Sequence, residues 1–212
     1  MAAGDKMEMI PFREMLSACA ADAAAQEHIV GVVADLLEWQ CASNDEELGG
    51  RPTQVTVFHG HSPPKITVRA YLERIRDFGG CSPCCFVLAL KYMDKLEVLD
   101  SAYRINSFNL HRTFLTATMV AAKFVDDFYF SNNYWAKVGG IANTELNGLE
   151  MELLFLLNFS LHMKREAYDS YIETLLRRQA SLREAATVRR MASLKIVDTP
   201  SREHLRAVPA AM

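Results

Sequence analysis

The sequence predicts an all-α domain in which amphipathic helices surround one central apolar helix. Apolar residues recur at helical spacing through most of the 212 residues, short joints rich in Gly, Pro or Asn separate these stretches, and strand-like patterning is confined to residues 55–58. With 50% hydrophobic and 23% charged residues, the chain has the composition of one globular domain. A domain of this size buries about 70% of the surface of its unfolded chain, so its core is large enough to fold without disulfides.

The first predicted helix, residues 22–40, flanks the core. Its apolar residues follow the spacing i, i+3, i+4, i+7, i+8, which makes one stripe: Ile29, Val32, Val33, Leu36 and Leu37. A connection follows over residues 43–64, where glycines and prolines are concentrated. Within it, only Val55 to Phe58 is expected to be extended.

Two helices of the core follow this connection. The first begins near Thr67 and stops at the pair Gly79 and Gly80. Ser82 and the proline after it suit the cap and first turn of the next helix. Because residues 86–96 are apolar nearly all round, this helix is expected at the centre of the bundle.

Four further helices are predicted in the second half of the chain. Asn109 opens a helix that gives out near Asp127, and a short helix after Asn132 is ended by a second glycine pair. Asn143 or Thr144 caps the next helix, and the last runs from Arg165 to about Arg178.

Charge is distributed unevenly along the chain. Residues 1–176 carry 15 Lys+Arg against 23 Asp+Glu, whereas residues 177–212 carry 8 against 3. The acidic body argues against a nucleic-acid groove, and no apolar run approaches the length of a membrane span. Neither nucleic acid nor a membrane is therefore an expected partner. Residues 181–212 are predicted to form a basic, mobile tail; helix is the alternative for its first part, because a short basic motif at 177–182 recurs at 189–194.

The five cysteines favour reduced thiols, because their number is odd and no signal peptide opens the chain. A cytoplasmic or nuclear location is expected. Cys81 and Cys84 have the spacing of a redox or zinc pair, but no second pair follows, and Cys85 is a third neighbour. Buried structural thiols are the favoured interpretation. His59 and His61 form a loop pair without a third ligand nearby in the sequence, so neither a metal nor a cofactor is expected.

Motifs that would support an enzyme are missing from the sequence, which contains no Gly-rich phosphate loop and no nucleophile elbow. Two charged residues in apolar surroundings are more informative: Lys123 and Glu150. Burial of an unpaired charge costs several kcal/mol, so each would need a partner or an interface. The alternative is that both are exposed on separate solvated faces.

Several separated motifs resemble the phosphate-regulon, or P/U, branch of the cyclins. They are Arg69-Ala70, Lys91 to Leu96, His111-Arg112, Ala121-Ala122-Lys123-Phe124, Tyr134 to Ile141, Glu150 and Phe159. The resemblance implies a single five-helix cyclin box at 55–163. Before the box would lie an N-terminal segment, 1–21, and a flanking helix with its connection, 22–54. After the box would come a C-terminal helix, 164–180, and the tail, 181–212.

The resemblance implies a regulatory subunit, not an enzyme. Such a subunit binds a cyclin-dependent Ser/Thr protein kinase and activates it by holding the kinase αC helix in the active position. Lys123 and Glu150 would pair at the kinase surface, with apolar contact from Phe124, Leu154 and Phe159. A cyclin-fold scaffold that binds a partner without activating a kinase is the alternative. Kinase substrates and an inhibitor protein are further partners that this class allows.

Three other residues carry expectations. Arg69 and Asp94 resemble the buried ion pair that ties together the first two helices of the box. Asp127 ends the Lys123 helix, where the helix dipole disfavours an acid. The hypothesis is that Asp127 engages a kinase arginine, and the alternative is a solvated acidic turn.

Overall fold

The computed structural model describes residues 23–49, 52 and 54–197, and this part of the chain is all-helical, as predicted. The helices are α1 (Ala23–Glu47), α2 (Val68–Gly79), α3 (Pro83–Leu99), α4 (Leu110–Val125), α5 (Asn132–Gly139), α6 (Asn143–Leu156) and α7 (Arg165–Val197), with a 3₁₀ turn at Ser101–Tyr103. None of the described helices combines the length and apolarity that a membrane crossing requires.

Two helices, not one, occupy the centre of the bundle. Residues 83–90 of α3 are all buried, as the sequence predicts, and so are residues 113–122 of α4. The sequence does not reveal that α4 is buried, because polar threonines interrupt its apolar residues. All three of these threonines are buried. Each threonine hydroxyl donates to a carbonyl one turn earlier at 2.8–2.9 Å, which satisfies the group within the helix.

Local sequence sets the ends of the box helices. The Thr67 hydroxyl caps α2 by accepting from the Ala70 backbone N–H at 3.2 Å. Gly80 and Gly140 end α2 and α5 in the left-handed conformation, with φ of 60° and 70°, which only glycine adopts without strain.

The expected extended segment at Val55 to Phe58 is wrong. The His59 N–H donates to the Thr56 carbonyl at 3.0 Å, so the chain turns here, and Phe58 is buried edge-on against Tyr103. His59 Nδ1 also accepts from the Thr56 N–H at 3.0 Å. This histidine holds the turn.

Both flanking helices are longer than predicted. α1 continues past residue 40 because the Asn44 amide donates to the Ile105 carbonyl at 2.6 Å and Asp45 accepts from the Ser107 N–H at 3.0 Å. α7 continues past Arg178, where Gln179 and Arg183 still bond to Asp35 of α1. The helix extends into the predicted mobile tail as far as residue 197, whereas 1–22 and 198–212 lie outside the described residues.

The predicted Arg69–Asp94 ion pair is wrong. Arg69 lies in the first turn of α2 and faces α1, where its guanidinium donates to Asp35 at 2.5 Å. Asp94 lies on α3 beneath α7 and accepts from the Tyr171 hydroxyl at 2.6 Å. Asp35 also accepts from Gln179 at 2.6 Å, so this one carboxylate joins α1, α2 and α7.

Candidate functional site

An ion pair between Lys123 of α4 and Glu150 of α6 lies at the surface of the bundle. The Lys123 Nζ atom is 2.6 Å from Glu150 Oε1, and the two side chains are 26% and 16% exposed. The sequence placed these charges together only through the resemblance, and the structure forms the pair. Lys123 also lies in the last turn of its helix, where the helix dipole favours a cation.

The second oxygen of Glu150 is held by Asn132, the first residue of α5. The Asn132 amide donates at 2.7 Å to Glu150 Oε2 and at 2.7 Å to Asn147 Oδ1. Three helices thus fix one carboxylate, and the carboxylate fixes the lysine. The contact with Glu150 uses one of the three N–H bonds of the ammonium group, so Lys123 retains donors for a partner.

Large apolar side chains are exposed on the segments that carry the ion pair: one directly follows Lys123, and two follow Glu150 by five and nine residues. Phe124, Phe155 and Phe159 are between 48% and 64% exposed, and Phe155 meets Phe159 edge-on with ring centroids 5.6 Å apart. Leu154 is half-buried and packs against the core beneath them. Exposed aromatic residues around a positioned charge are typical of a protein interaction surface. We call Lys123, Phe124, Glu150, Phe155 and Phe159 the candidate surface.

Backbone strain lies within this surface. Asn158 and Phe159 both adopt positive φ, 48° and 55°, which is uncommon for residues other than glycine and costs of order 1–3 kcal/mol each. Backbone bonds of 2.9 Å from these two residues to the Phe155 and Leu154 carbonyls hold the conformation. Strained backbone of this kind concentrates at functional sites. Here it directs an aromatic ring outward at the end of α6.

The two acids that follow α4 have different environments. The Asp126 carboxylate accepts from the Ser82 backbone N–H at 3.0 Å and from the Ser82 hydroxyl, so it caps the N-terminus of α3. The positive end of the α3 dipole explains why an acid is tolerated there. Asp127 is exposed, and its hypothesised contact with a kinase arginine stays a prediction.

The predicted burial of the thiols is confirmed. Cys41, Cys81, Cys84 and Cys85 are buried and not disulfide-bonded. Burial raises the pKa of the Cys85 thiol well above its usual range, and interactions with the neighbouring Cys81 and Cys84 raise it further. This thiol also lies 3.3 Å from a carboxylate oxygen of Asp126.

Sequence reasoning missed Asn132 and Phe155. A weak signal for Phe155 exists, because Met151 and Phe155 are spaced i, i+4 on a side of α6 other than the buried stripe of Leu146, Leu149 and Leu153. Apolar residues outside a helix's buried stripe indicate a second contact. No sequence signal links Asn132 to Glu150, since the contact depends on how α5 packs against α6.

A second ion pair also joins α4 and α6. Arg112 Nε lies 2.6 Å from Glu145 Oε1, near the N-terminal ends of both helices. Arg112 lies eleven residues before Lys123, or about 16 Å along α4. The two pairs are therefore similar in geometry and separate in position.

A helical bundle with two buried central helices, a positioned surface ion pair and exposed aromatic side chains has the features of a protein-binding domain. The chain belongs to the cyclin family: the family model described as Cyclin matches residues 25–161, from the start of α1 to the joint before α7. Cyclins are regulatory subunits without catalytic activity of their own, so the chain is not an enzyme.

Relatives of the chain include cyclins of the U and P types, which confirms the resemblance to the P/U branch. The chain is 41% identical over 162 residues to Cyclin-U4-1 of Arabidopsis thaliana, an alignment that covers 76% of this chain and 80% of that protein. It is 37% identical over 158 residues to Cyclin-P4-1 of Oryza sativa subsp. japonica, covering 72% and 74%. Cyclin-U3-1 of Arabidopsis thaliana is 45% identical over 128 residues, covering 60% of this chain and 58% of that protein.

Proposed function

We propose that this cyclin binds a cyclin-dependent Ser/Thr protein kinase through the candidate surface and activates it by holding the kinase αC helix in the active position. The observation that supports this proposal is the Lys123–Glu150 pair, bonded at 2.6 Å and flanked by exposed aromatic side chains. Kinase catalysis requires αC to be placed so that its glutamate pairs with the β3 lysine. A rigid protein surface can impose that position without chemistry of its own.

Each residue of the surface has a physical role in the proposal. Lys123 donates its remaining N–H bonds to backbone carbonyls beside αC, and Glu150 keeps the ammonium group in place. Phe124, Phe155 and Phe159 bury apolar area against the kinase, which supplies most of the binding free energy. The backbone conformation fixes the direction of the Phe159 Cα–Cβ bond, which lowers the backbone part of the conformational entropy lost when that ring is buried.

The test of binding uses Glu150→Gln, which removes the charge while keeping the size of the side chain. Truncating one member of a buried charge pair costs about 2–4 kcal/mol, so the Kd for the kinase should rise by roughly 30- to 900-fold. Glu145→Gln is the matched control, because it removes the other α4–α6 ion pair, also of 2.6 Å, outside the candidate surface. Titration calorimetry with purified cyclin-dependent kinases measures both variants.

The two variants give opposite expectations, which makes the result decisive. We expect Glu145→Gln to bind like the wild type. Binding by a folded Glu150→Gln within about twofold of wild type would contradict the assignment of the surface, because a twofold change is only about 0.4 kcal/mol. Equal losses in both variants would also contradict it.

Activation is tested separately from binding. Addition of the wild-type chain to the kinase should stimulate phosphate transfer to a generic peptide substrate, in parallel with complex formation. If a stable complex forms and phosphate transfer is not stimulated, the activating part of the proposal is wrong and the chain is a cyclin-fold scaffold.

A further inference from the structure

Four side chains that can bind metals lie where the N-terminus of α3 approaches the C-terminus of α4, and three of them are within ligand-sharing distance. They are Cys81, Cys84 and Cys85, next to and within the first turn of α3, and Asp126, the residue that caps α4. The ligand atoms of Cys84, Cys85 and Asp126 all lie within 4.8 Å of one another. Cys81 is buried and interacts with the Cys85 thiol, but it lies outside the group of three whose ligand atoms are that close together. We call these four residues the Cys/Asp cluster.

We propose that the Cys/Asp cluster binds one zinc ion. Zinc prefers four ligands in a tetrahedron, and three sulfurs with one carboxylate oxygen provide such a set. Zinc–sulfur bonds of about 2.3 Å place the sulfurs about 3.7 Å apart, so the ligand atoms of Cys84, Cys85 and Asp126, which lie within 4.8 Å of one another, need to approach by only about 1 Å. Thiolate ligands favour zinc over magnesium or calcium, which prefer oxygen.

Surrounding groups suit a bound ion. The Ser82 backbone N–H and hydroxyl both donate to Asp126 and orient its carboxylate, as the partners of metal ligands commonly do. Three thiolates, one carboxylate and Zn²⁺ together carry two negative charges, and the N-terminus of α3 stabilises negative charge. On binding, each thiol releases its proton to solvent and each sulfur shares an electron pair with the ion. No electron is transferred.

The sequence alone does not reveal this site, because its fourth ligand is not a cysteine and lies 41 residues beyond Cys85. Another buried cysteine of the same chain provides a comparison. Cys41 is also buried beside a carboxylate, with its sulfur 3.7 Å from Asp45 Oδ2, but it is not among the clustered metal-ligating groups of the described residues. Cys41 therefore serves as a matched control.

The test uses the full chain, purified anaerobically with a reductant, loaded with zinc and dialysed against metal-free buffer. We expect one zinc ion per chain by mass spectrometry of the metal content. Cobalt loading should give a sulfur-to-cobalt charge-transfer band and the intense visible bands of tetrahedral cobalt. Cys84→Ser should weaken zinc binding by about tenfold or more, and Asp126→Asn should do the same, whereas Cys41→Ser should bind like the wild type.

Substoichiometric zinc in the reduced wild-type chain would overturn the proposal, as would a cobalt spectrum without a sulfur band. Wild-type zinc affinity in a folded Cys84→Ser or Asp126→Asn chain would also overturn it, and so would the loss of zinc in Cys41→Ser. Circular dichroism establishes that each variant is folded. If a variant does not fold, the zinc content and cobalt spectrum of the wild type still decide the question. These measurements use no kinase, so their outcome is independent of the proposed function.

Discussion

Asp35→Ala is expected to lower the free energy of unfolding by about 2 kcal/mol, because this one carboxylate joins three helices. Asp35 of α1 accepts from Arg69 of α2 at 2.5 Å and, on α7, from Gln179 at 2.6 Å and Arg183 at 3.0 Å. The three donors differ in exposure, and their exposure determines what each one loses.

Most of the expected cost comes from Gln179. This residue is only 4% exposed, so its amide would be left buried without its acceptor, which costs about 1–3 kcal/mol. The Arg69 and Arg183 side chains are 40% and 65% exposed and can bond to water instead, so together they add less than about 1 kcal/mol. For a domain of this size, a loss of about 2 kcal/mol lowers the melting temperature by about 4–8 °C.

The assay is thermal and urea unfolding of the full chain, followed by circular dichroism, combined with two double-mutant cycles. Arg69→Ala combined with Asp35→Ala should show a coupling of about 0.5–1 kcal/mol, whereas Arg69→Ala combined with Asp94→Ala should show almost none. Stronger coupling of Arg69 to Asp94 than to Asp35 would refute the reasoning, because it would mean that the arginine pairs with α3.

Three other predictions concern pH, packing and activation. Burial raises the pKa of Asp35, but hydrogen bonds from its three donors outweigh burial and hold that pKa below its ordinary value. The loss of unfolding free energy caused by Asp35→Ala should therefore have its full size above about pH 4 and become smaller as the pH falls below this value. Urea unfolding at several pH values measures this dependence. Gly139→Ala should destabilise the chain by about 1–3 kcal/mol, because the new Cβ would lie 2.1 Å from a carbon of the buried Leu115. Gly148→Ala should instead stabilise α6 by up to about 1 kcal/mol, because no atom lies within 4 Å of the new Cβ. Equal melting temperatures of the two variants would contradict both predictions. Asp127→Asn should reduce stimulation of a kinase whose activation loop is unphosphorylated, and equal stimulation in a phosphate-transfer assay would show a solvated acidic turn.

Helix periodicity predicts the described box helices well, because that signal is local. The capping residues are predicted only in part: the side chains of Ser82 and Asn109 make no cap hydrogen bond, and the N-cap of α6 is Ala142, not Asn143 or Thr144. Thr67 and the glycines at 80 and 140 set helix ends through their own conformations, and the structure confirms them. The flanking helices are predicted too short because their extra turns depend on contacts distant in sequence, such as that of Gln179 with Asp35. Local patterns carry no information about such contacts.

The candidate surface was predicted only in part, and the reason is again distance along the chain. Lys123 and Glu150 are notable in the sequence as charges among apolar residues, but only the resemblance places them together. Arg69 and Asp94 show the limit of that approach. Both residues are hydrogen-bonded, but not to each other: Arg69 bonds to α1 and Asp94 bonds to α7.

The buried threonines of α4 affect how freely the rest of the core can change. Thr113, Thr116 and Thr118 complete their hydrogen bonds with carbonyls of their own helix. The neighbouring helices therefore contact this part of α4 by apolar packing and provide no hydrogen-bond acceptor for the three threonine hydroxyls. Apolar residues that pack on α4 can be exchanged for others of similar volume without a compensating change in the threonines. The interior of the domain can thus diverge while the geometry that α4 gives to Lys123 is retained.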